Sequence, residues 1–458
     1  MKGGEIIGSG GFGCVFKPSL KCKNQKYKNN NYLSKLMIKK NAIDEYNLLN
    51  NIKTKLIKIN SYNNYFLLDD YYLCQPDKLK QKDLKNFNDK CSALTKKNIN
   101  SKNINKNLDK LLTLNNIYGG LNIWDLLNKY ELTNSLFIKL NNSLIDLLKN
   151  GIISMNSLNI YHGDIKDANI LVDIDEENNL YTRLIDWGLS FEINKKIIKN
   201  NKNNETNSIQ IIQKIPNNML NRPFQFNVPF SSIIFNKLFI NSLNEFLKKY
   251  PKPNYYQIRE FVINFIYIWN NVRGSGHLNT INNIFKYLTY NDILNKKEKI
   301  KNHFIEYEIT YYYIIEYISK IIEHYYIQNE LNIIDYLYEK YLKILDIWGF
   351  LSSYLIFYEY FNNDFGKLNK KQILFIEKIK EILINYLYNN PLGEIKINTL
   401  INDLKVLNEL FETLEEKENN TENNNKLDYL SNLVKIGGKS RKYKQKKIKT
   451  KTNKKRTT

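Results

Sequence analysis

One short segment, residues 161–172 (YHGDIKDANILV), constrains the fold of this chain more than any other. Asp164, Lys166 and Asn169 stand close together in it, and apolar, partly β-branched residues follow at once. This order predicts a loop that leads into a buried strand. An aspartate can orient a hydroxyl group, a lysine can neutralise a moving phosphoryl group, and an asparagine oxygen can hold a metal ion. We therefore interpret the segment as a catalytic loop.

A second aspartate and a glycine-rich turn extend the pattern. Asp186 stands in LIDWG after two predicted strands and a polar turn at 175–179, so a hairpin would return it to the catalytic loop. Near the start of the chain, GxGxxG lies between two predicted strands, and such glycines let backbone amides approach phosphate oxygens. A dinucleotide-binding turn would instead lead into a helix, whereas residues 15–18 continue as strand and then break at a proline. The candidate cofactor-binding residues of this turn are Ile7, Gly8, Ser9, Gly10, Gly11, Phe12, Gly13, Cys14 and Val15.

The segment after the glycines supplies a candidate lysine and its partner. Residues 32–38 alternate like a third strand that contains Lys35, and a helical pattern from about residue 41 contains Glu45. We expect Lys35 to bind nucleotide phosphates and Glu45 to hold that lysine through an ion pair. Lys39 or Lys40 are competing choices for the lysine, and a solvated helix face is the alternative for Glu45.

In this order, the glycine-rich turn, the catalytic loop and the later aspartate resemble the eukaryotic protein kinase superfamily. The motifs SKLM, HGDIKDANIL, IDWG, RPFQFN and DIWGFLSSYL are further similar to those of divergent serine/threonine protein kinases of large nucleocytoplasmic DNA viruses. The resemblance covers about residues 1–230 and 341–414. It implies an enzyme that transfers the γ-phosphate of ATP, bound with Mg²⁺, to a hydroxyl group of a protein substrate.

The resemblance also assigns roles to single residues. Asp164, Lys166 and Asn169 would be catalytic, and Asn169 and Asp186 would bind Mg²⁺. Lys166, two residues after the aspartate, is typical of serine/threonine kinases. Gly163 stands where many members carry an arginine that reads a phosphorylated activation loop, so we expect that switch to be absent. HGD also occurs in kinase-like enzymes that act on small molecules, and no APE triplet follows, so a small-molecule kinase is one alternative. An inactive pseudokinase scaffold is another, although the presence of all the phosphate- and metal-binding groups argues against it.

The implied fold is α+β and two-lobed. It has a small, β-rich N-lobe at residues 1–118 and a large, helical C-lobe at 119–414. We expect the remaining N-lobe strands at 65–68 and 110–118. The hinge would lie at 118–120, with Asn116, Ile117 and Tyr118 as the alternatives for contact with adenine.

Asp346 fits the family's aspartate that opens a buried helix and braces the catalytic loop. It stands 160 residues after Asp186, which indicates a helical insertion at about 231–340. Residues 192–207 are charged and rich in asparagine, as in an activation segment, and residues 221–230 fall where the substrate-positioning loop ends.

Charge is concentrated at the end of the chain. Lysine and arginine number 68 against 46 aspartates and glutamates, and residues 435–458 hold twelve basic residues and no acidic one. Residues 415–458 therefore read as a linker and a basic, disordered tail. Such a tail could bind nucleic acid or an anionic surface weakly and in a salt-dependent manner.

The cysteines and the apolar runs predict an intracellular protein. Cys14, Cys22, Cys74 and Cys91 form no CxxC pair, so we expect free thiols in a reducing compartment and no zinc site. No uncharged apolar run reaches about 18 residues, which argues against a membrane span. We expect a cytoplasmic location, in the host cytoplasm or the virion if the protein is viral.

Overall fold

The computed structural model describes residues 4–23, 31–193, 210–222, 224–274, 277, 278, 280, 281, 284, 309–327, 329–362 and 370–412. It is an α+β protein with a small antiparallel sheet in its N-terminal part and a mostly helical C-terminal part. The predicted tail at 415–458 and most of the predicted activation segment lie outside the described residues.

The N-terminal sheet has five antiparallel strands in the order β1-β2-β3-β5-β4. They are β1 (Glu5–Ser9), β2 (Gly13–Lys17), β3 (Tyr32–Ile38), β4 (Tyr72–Cys74) and β5 (Leu111–Ile117). The strand predicted at 65–68 is wrong, because this segment makes only an isolated bridge from Phe66 to Leu184. Its apolar residues are nevertheless buried in the core shared with the helices, which is why the segment resembles a strand in sequence.

The two faces of this sheet meet different cores because side chains alternate along a strand. Cys14 and Phe16 on β2 and Leu36 on β3 belong to a core on the outer face. Val15 and Lys35 are register partners and lie on the opposite, inner face, where Met37 joins the large core of the helical part. The inner face therefore presents Lys35 toward the helices.

Residues 75–110, which we name the cap, cover the outer face. The cap contains α2 (Phe87–Lys90), α3 (Ser92–Thr95) and the 3-10 turns Ile104–Lys106 and Leu108–Lys110. Its buried residues pack with the outer face of the sheet and include Leu79, Phe87, Leu94, Ile99 and Ile104. These elements are too short to produce a periodic pattern in the sequence.

The cysteines are paired, so the prediction of free thiols is wrong. Cys14 on β2 bonds to Cys91 in the cap, and Cys22 bonds to Cys74 on β4. The partners are 77 and 52 residues apart in sequence, whereas their Cα atoms lie 5.4 and 5.7 Å apart. Folding of the cap and the sheet creates this proximity, so the spacing of cysteines in the sequence does not reveal it.

Helix α1 (Lys39–Leu56) follows β3 directly, and Ile38, the last residue of β3, is its N-cap. The expected start near residue 41 is therefore two residues late. Because no loop separates strand and helix, Glu45 comes only ten residues after Lys35 and yet lies in the second turn of α1.

The helical part also carries short β-strands. They are β6 (Leu121–Asn122), β7 (Ile160–Tyr161), β8 (Ile170–Ile174), β9 (Leu180–Leu184), β10 (Phe191–Glu192), β11 (Tyr326–Ile327) and β12 (Glu330–Leu331). The described helices are α4 (Ile123–Lys129), α5 (Asn134–Asp146), α6 (Ile153–Ser157), α7 (Asn217–Leu220), α8 (Lys237–Lys249), α9 (Tyr255–Arg273), α10 (Ile309–Tyr325), α11 (Ile333–Tyr336), α12 (Leu342–Ser352), α13 (Leu355–Asn362), α14 (Lys370–Leu383) and α15 (Ile397–Glu412).

The described residues of the predicted insertion at 231–340 belong to the main core. Phe230 at its border and Tyr317 on α10 pack against Trp348 of α12, with ring centroids 4.9 and 5.7 Å apart. Its described residues are mostly helical, and they share their packing with the helix that follows them. Within the described ranges, no helix combines the length and the apolar composition needed to cross a membrane.

Candidate active site

The segment predicted to be catalytic contains a loop, residues 162–169, between β7 and β8, and the predicted strand follows it. Asp164 accepts hydrogen bonds at Oδ2 from Lys166 Nζ (2.7 Å) and Asn169 Nδ2 (3.1 Å). Its other oxygen, Oδ1, accepts a bond from Asn227 Nδ2 at 2.8 Å. Three donors therefore fix this carboxylate, which is 13% exposed.

Asn227 is the residue that sequence reasoning missed. It is 2% exposed, and its amide also donates to the carbonyl of Ile165 at 3.2 Å. The neighbouring carbonyl of Phe226 accepts bonds from Trp348 Nε1 (3.0 Å) and Ser352 Oγ (2.9 Å) on α12. The segment was recognised as part of RPFQFN, but its contact with Asp164 spans 63 residues and has no local signal.

Helix α12 braces the loop, as predicted for Asp346. This residue is 1% exposed and accepts backbone bonds from His162 (2.9 Å) and Gly163 (2.9 Å) through its two oxygens. Asn156 adds a third donor at 2.7 Å. Asp346 lies inside α12 rather than at its start, so its carboxylate reaches the loop from the middle of a buried helix.

The structure explains why residue 163 is a glycine. Its φ is +72°, and a Cβ there would lie 2.8 Å from the carbonyl oxygen of Leu189. The backbone conformation and this close approach both disfavour a side chain. An arginine at this position would not fit the observed loop.

His162 is fully buried and neutral. Its Nε2 donates to the carbonyl of Ile185 at 3.0 Å, and its Nδ1 accepts from the backbone of Asp164 at 3.3 Å. Burial lowers the pKa of His162, against the opposing fields of Asp346, Asp164 and Asp186 and its bond to Ile185. The ring thus joins the loop to the end of the β8–β9 hairpin in one tautomer.

The β8–β9 hairpin returns Asp186 to the loop. The backbone of Ile185 donates to the carbonyl of Asn169 at 3.0 Å, which places the next residue, Asp186, beside the loop. Asp186 has a left-handed backbone with φ +64°. Trp187 then packs edge-to-face on Phe66 at 5.6 Å and lies 4.8 Å from the ring of His162.

Lys35 and Glu45 form the predicted ion pair, with Nζ–Oε distances of 2.7 and 2.8 Å. Their side chains are 19% and 16% exposed. Burial lowers the pKa of Lys35, but the charges of Glu45 and Asp186 and the hydrogen bond to Glu45 raise it above its usual value. The charge of Asp186 contributes to the raised pKa of Lys35, so the ion pair, which joins β3 to α1, lies near the loop that precedes β8.

The glycines of the β1–β2 turn divide into two kinds. A Cβ on Gly8, Gly10 or Gly11 would meet nothing within 4 Å, whereas a Cβ on Gly13 would lie 2.4 Å from Met37 Cγ. The first three leave open space in which backbone amides can approach a phosphate, and Gly13 allows β2 to pack on β3. Among the other residues of the turn, Ile7 and Phe12 are exposed.

Cys14 takes no ligand through its side chain, because that side chain is buried in the disulfide with Cys91 on the outer face. Only its backbone can contribute to the predicted cofactor site. Val15, the next residue, lies on the inner face opposite Lys35.

Two ligands fit a Mg²⁺ ion. Asn169 uses its Nδ2 to donate to Asp164, which leaves Oδ1 as its ligating atom. Asp186 supplies a carboxylate, and both are the hard oxygen ligands that Mg²⁺ prefers. The described residues contain no group of three or more His, Cys, Asp and Glu suited to a metal, so phosphate oxygens and water would complete the shell.

Among the three candidates for contact with adenine, residues 116–118, Asn116 has a side-chain oxygen that could accept a hydrogen bond from a base. Its Oδ1 is buried and has no hydrogen-bond partner among the described residues. Asn116 is two residues beyond Leu114, the register partner of Lys35, so it shares the inner face with that lysine. An adenine amino group could satisfy this acceptor.

A comparison with protein-family models finds no match for this chain, and a comparison with curated proteins finds none either.

Proposed function

We propose that the chain is a serine/threonine protein kinase of the two-lobed kinase fold, dependent on Mg²⁺ and ATP. The observation that carries the proposal is the fixed carboxylate of Asp164, held by Lys166 and Asn169 and joined through the backbone of Ile185 to Asp186. A lone turn aspartate would not need three side-chain donors. This arrangement suits the transfer of a phosphoryl group to a hydroxyl.

Each residue of the proposed site has a separate chemical role. Asp164 orients the acceptor hydroxyl and takes its proton, and Lys166 neutralises charge that develops on the phosphoryl oxygens. Lys35, held by Glu45, binds the α- and β-phosphates of ATP. Mg²⁺, when bound, would supply positive charge that neutralises the phosphate oxygens. Asn169 and Asp186 would hold that ion.

The test is phosphoryl transfer from radiolabelled ATP to a general protein acceptor, read out by phosphoamino-acid analysis. We expect phosphoserine or phosphothreonine from the wild type and a loss of roughly 10²–10⁴-fold in Asp164→Asn. Asp186→Asn should lose activity with Mg²⁺ as well. Asp173→Asn is the matched control, because it changes a carboxylate on β8 that pairs with Arg183.

Undiminished transfer in Asp164→Asn would overturn the assignment. Binding of Mg²⁺ and ATP in a thermal-shift assay without any turnover would instead identify a pseudokinase scaffold. Transfer to a small alcohol but not to protein would identify a small-molecule kinase.

A further inference from the structure

The cap defined above, residues 75–110, carries an unusual concentration of positive charge. It holds ten lysines and four aspartates, a net charge of +6 in 36 residues. The whole chain has a net charge of +22, of which residues 435–458 contribute +12, so the other 398 residues together carry +4. A general excess of lysine would distribute positive charge evenly along the chain. Here the positive charge is concentrated in the cap and in residues 435–458.

All ten lysines of the cap are exposed, whereas one of its four aspartates, Asp83, is buried. Asp83 accepts a bond from the backbone of Lys80 and so serves the local fold. The inner side of the cap is occupied by its contact with the sheet. Lys90 donates to the carbonyl of Ile6 on β1 at 3.2 Å, and the positive charge of the cap is exposed to solvent.

The cap is a folded platform rather than a charged run of chain. The Cys14–Cys91 disulfide and a hydrophobic core hold it on the sheet. The side chain of Asn105 accepts a hydrogen bond from the backbone N–H of Leu79 and donates one to its carbonyl, both at 2.9 Å. These bonds join the two ends of the cap. The backbone that carries these lysines is held in place, so a ligand need not order it on binding.

The chemistry of the exposed face selects the ligand. It has lysine ammonium groups and asparagine amides, and no large apolar side chain of the described cap is exposed. It therefore lacks aromatic platforms for unpaired bases and apolar anchors for a bilayer. Ammonium and amide donors suit the phosphate oxygens of a duplex. We propose that the cap binds the backbone of double-stranded nucleic acid without sequence preference, independently of the proposed kinase activity.

The test measures binding of the full chain to a 24-base-pair fluorescent DNA duplex across a series of salt concentrations. One variant replaces four cap lysines with glutamine: Lys78, Lys85, Lys96 and Lys102. A matched control replaces four exposed lysines elsewhere with glutamine: Lys58, Lys237, Lys252 and Lys405. Both retain the basic tail, and both remove the same charge.

The slope of log K against log salt is negative, and each phosphate contact adds about 0.9 to its magnitude. We therefore expect the magnitude of the slope to be smaller by about 3 to 4 in the cap variant. The control should keep the wild-type slope. Equal slopes in the two variants would overturn the proposal. So would a cap variant that loses binding to phosphatidylserine-containing vesicles while its duplex binding is unchanged, because the surface would then be one for membranes. Circular dichroism of each variant verifies that it is folded.

Discussion

At the scale of single residues, Asn227 is expected to position Asp164 without touching the nucleotide. Its amide holds Oδ1 of Asp164 at 2.8 Å, and the other donors hold Oδ2. Asn227→Leu removes this donor, so the carboxylate can rotate toward Lys166. Small misplacements of a catalytic group cost up to about 10²-fold in rate, and we expect kcat to fall roughly 10- to 100-fold.

In steady-state kinetics the KM for ATP should stay near the wild-type value, because Lys35 and Glu45 are unchanged. The control is Gln225→Leu, two residues earlier in the same loop. A proportionate rise in the KM for ATP would show that Asn227 supports the fold of the site as a whole rather than Asp164 alone.

A second residue-scale prediction concerns His162 and pH. Its pKa in the folded protein lies below the ordinary histidine value of 6.5, because the buried ring loses hydration when charged. The unfolded state therefore binds the proton first as pH falls. The free energy of unfolding should decrease from pH 7.5 to 5.5 and recover on return to pH 7.5.

Urea titrations at several pH values measure this effect. His162→Gln should flatten the pH dependence, and His324→Gln, which changes an exposed histidine, should preserve it. A wild-type stability that is constant over this range would contradict the burial of a neutral ring.

At the scale of elements, the contact between α12 and the catalytic loop depends on Gly349. A Cβ there would lie 2.5 Å from the carbonyl oxygen of Ile165 and 3.2 Å from that of Asn227. Alanine is the better helix former by about 1 kcal/mol, yet here the clash with two backbone oxygens outweighs that gain. Gly349→Ala should lower both the free energy of unfolding and the rate of phosphoryl transfer.

Lys343→Ala, at an exposed position on the same helix, is the control and should leave both quantities near the wild type. Chemical denaturation and the transfer assay measure the pair. If Gly349→Ala proved as stable and active as the control, α12 would have room to shift from the loop.

The features that could be predicted from sequence are those whose interacting residues lie close together in the chain. The loop at 162–169, the hairpin that returns Asp186 and the Lys35–Glu45 ion pair lie in short segments with dense motifs, and the structure has each of these arrangements. The brace by Asp346 was found through a resemblance, since no local pattern links it to His162. Other features depend on contacts between segments that are distant in sequence, namely the role of Asn227, the strand at 72–74 and the cysteine pairs. No local sequence pattern predicts them.

At the scale of the whole molecule, the two hydrophobic cores predict two levels of stability. The core under the cap is separate from the large core that joins the inner face of the sheet to the helices. The Cys14–Cys91 bridge closes a 77-residue separation, and a bridge of this span stabilises by about 4 kcal/mol in the chain-entropy account. Reduction should therefore release the cap before it disturbs the main body.

Hydrogen exchange and fluorescence distinguish the two cores. All four tryptophans, Trp124, Trp187, Trp269 and Trp348, lie outside the sheet and the cap. A phosphine reductant should accelerate exchange of amides in residues 75–110 and leave the urea midpoint of tryptophan fluorescence nearly unchanged. The double variant Cys22→Ser with Cys74→Ser keeps the Cys14–Cys91 bridge, so its cap should stay protected until reductant is added. An equal shift of both signals would mean that cap and body unfold together, because the sheet between them would then transmit the loss of one core to the other.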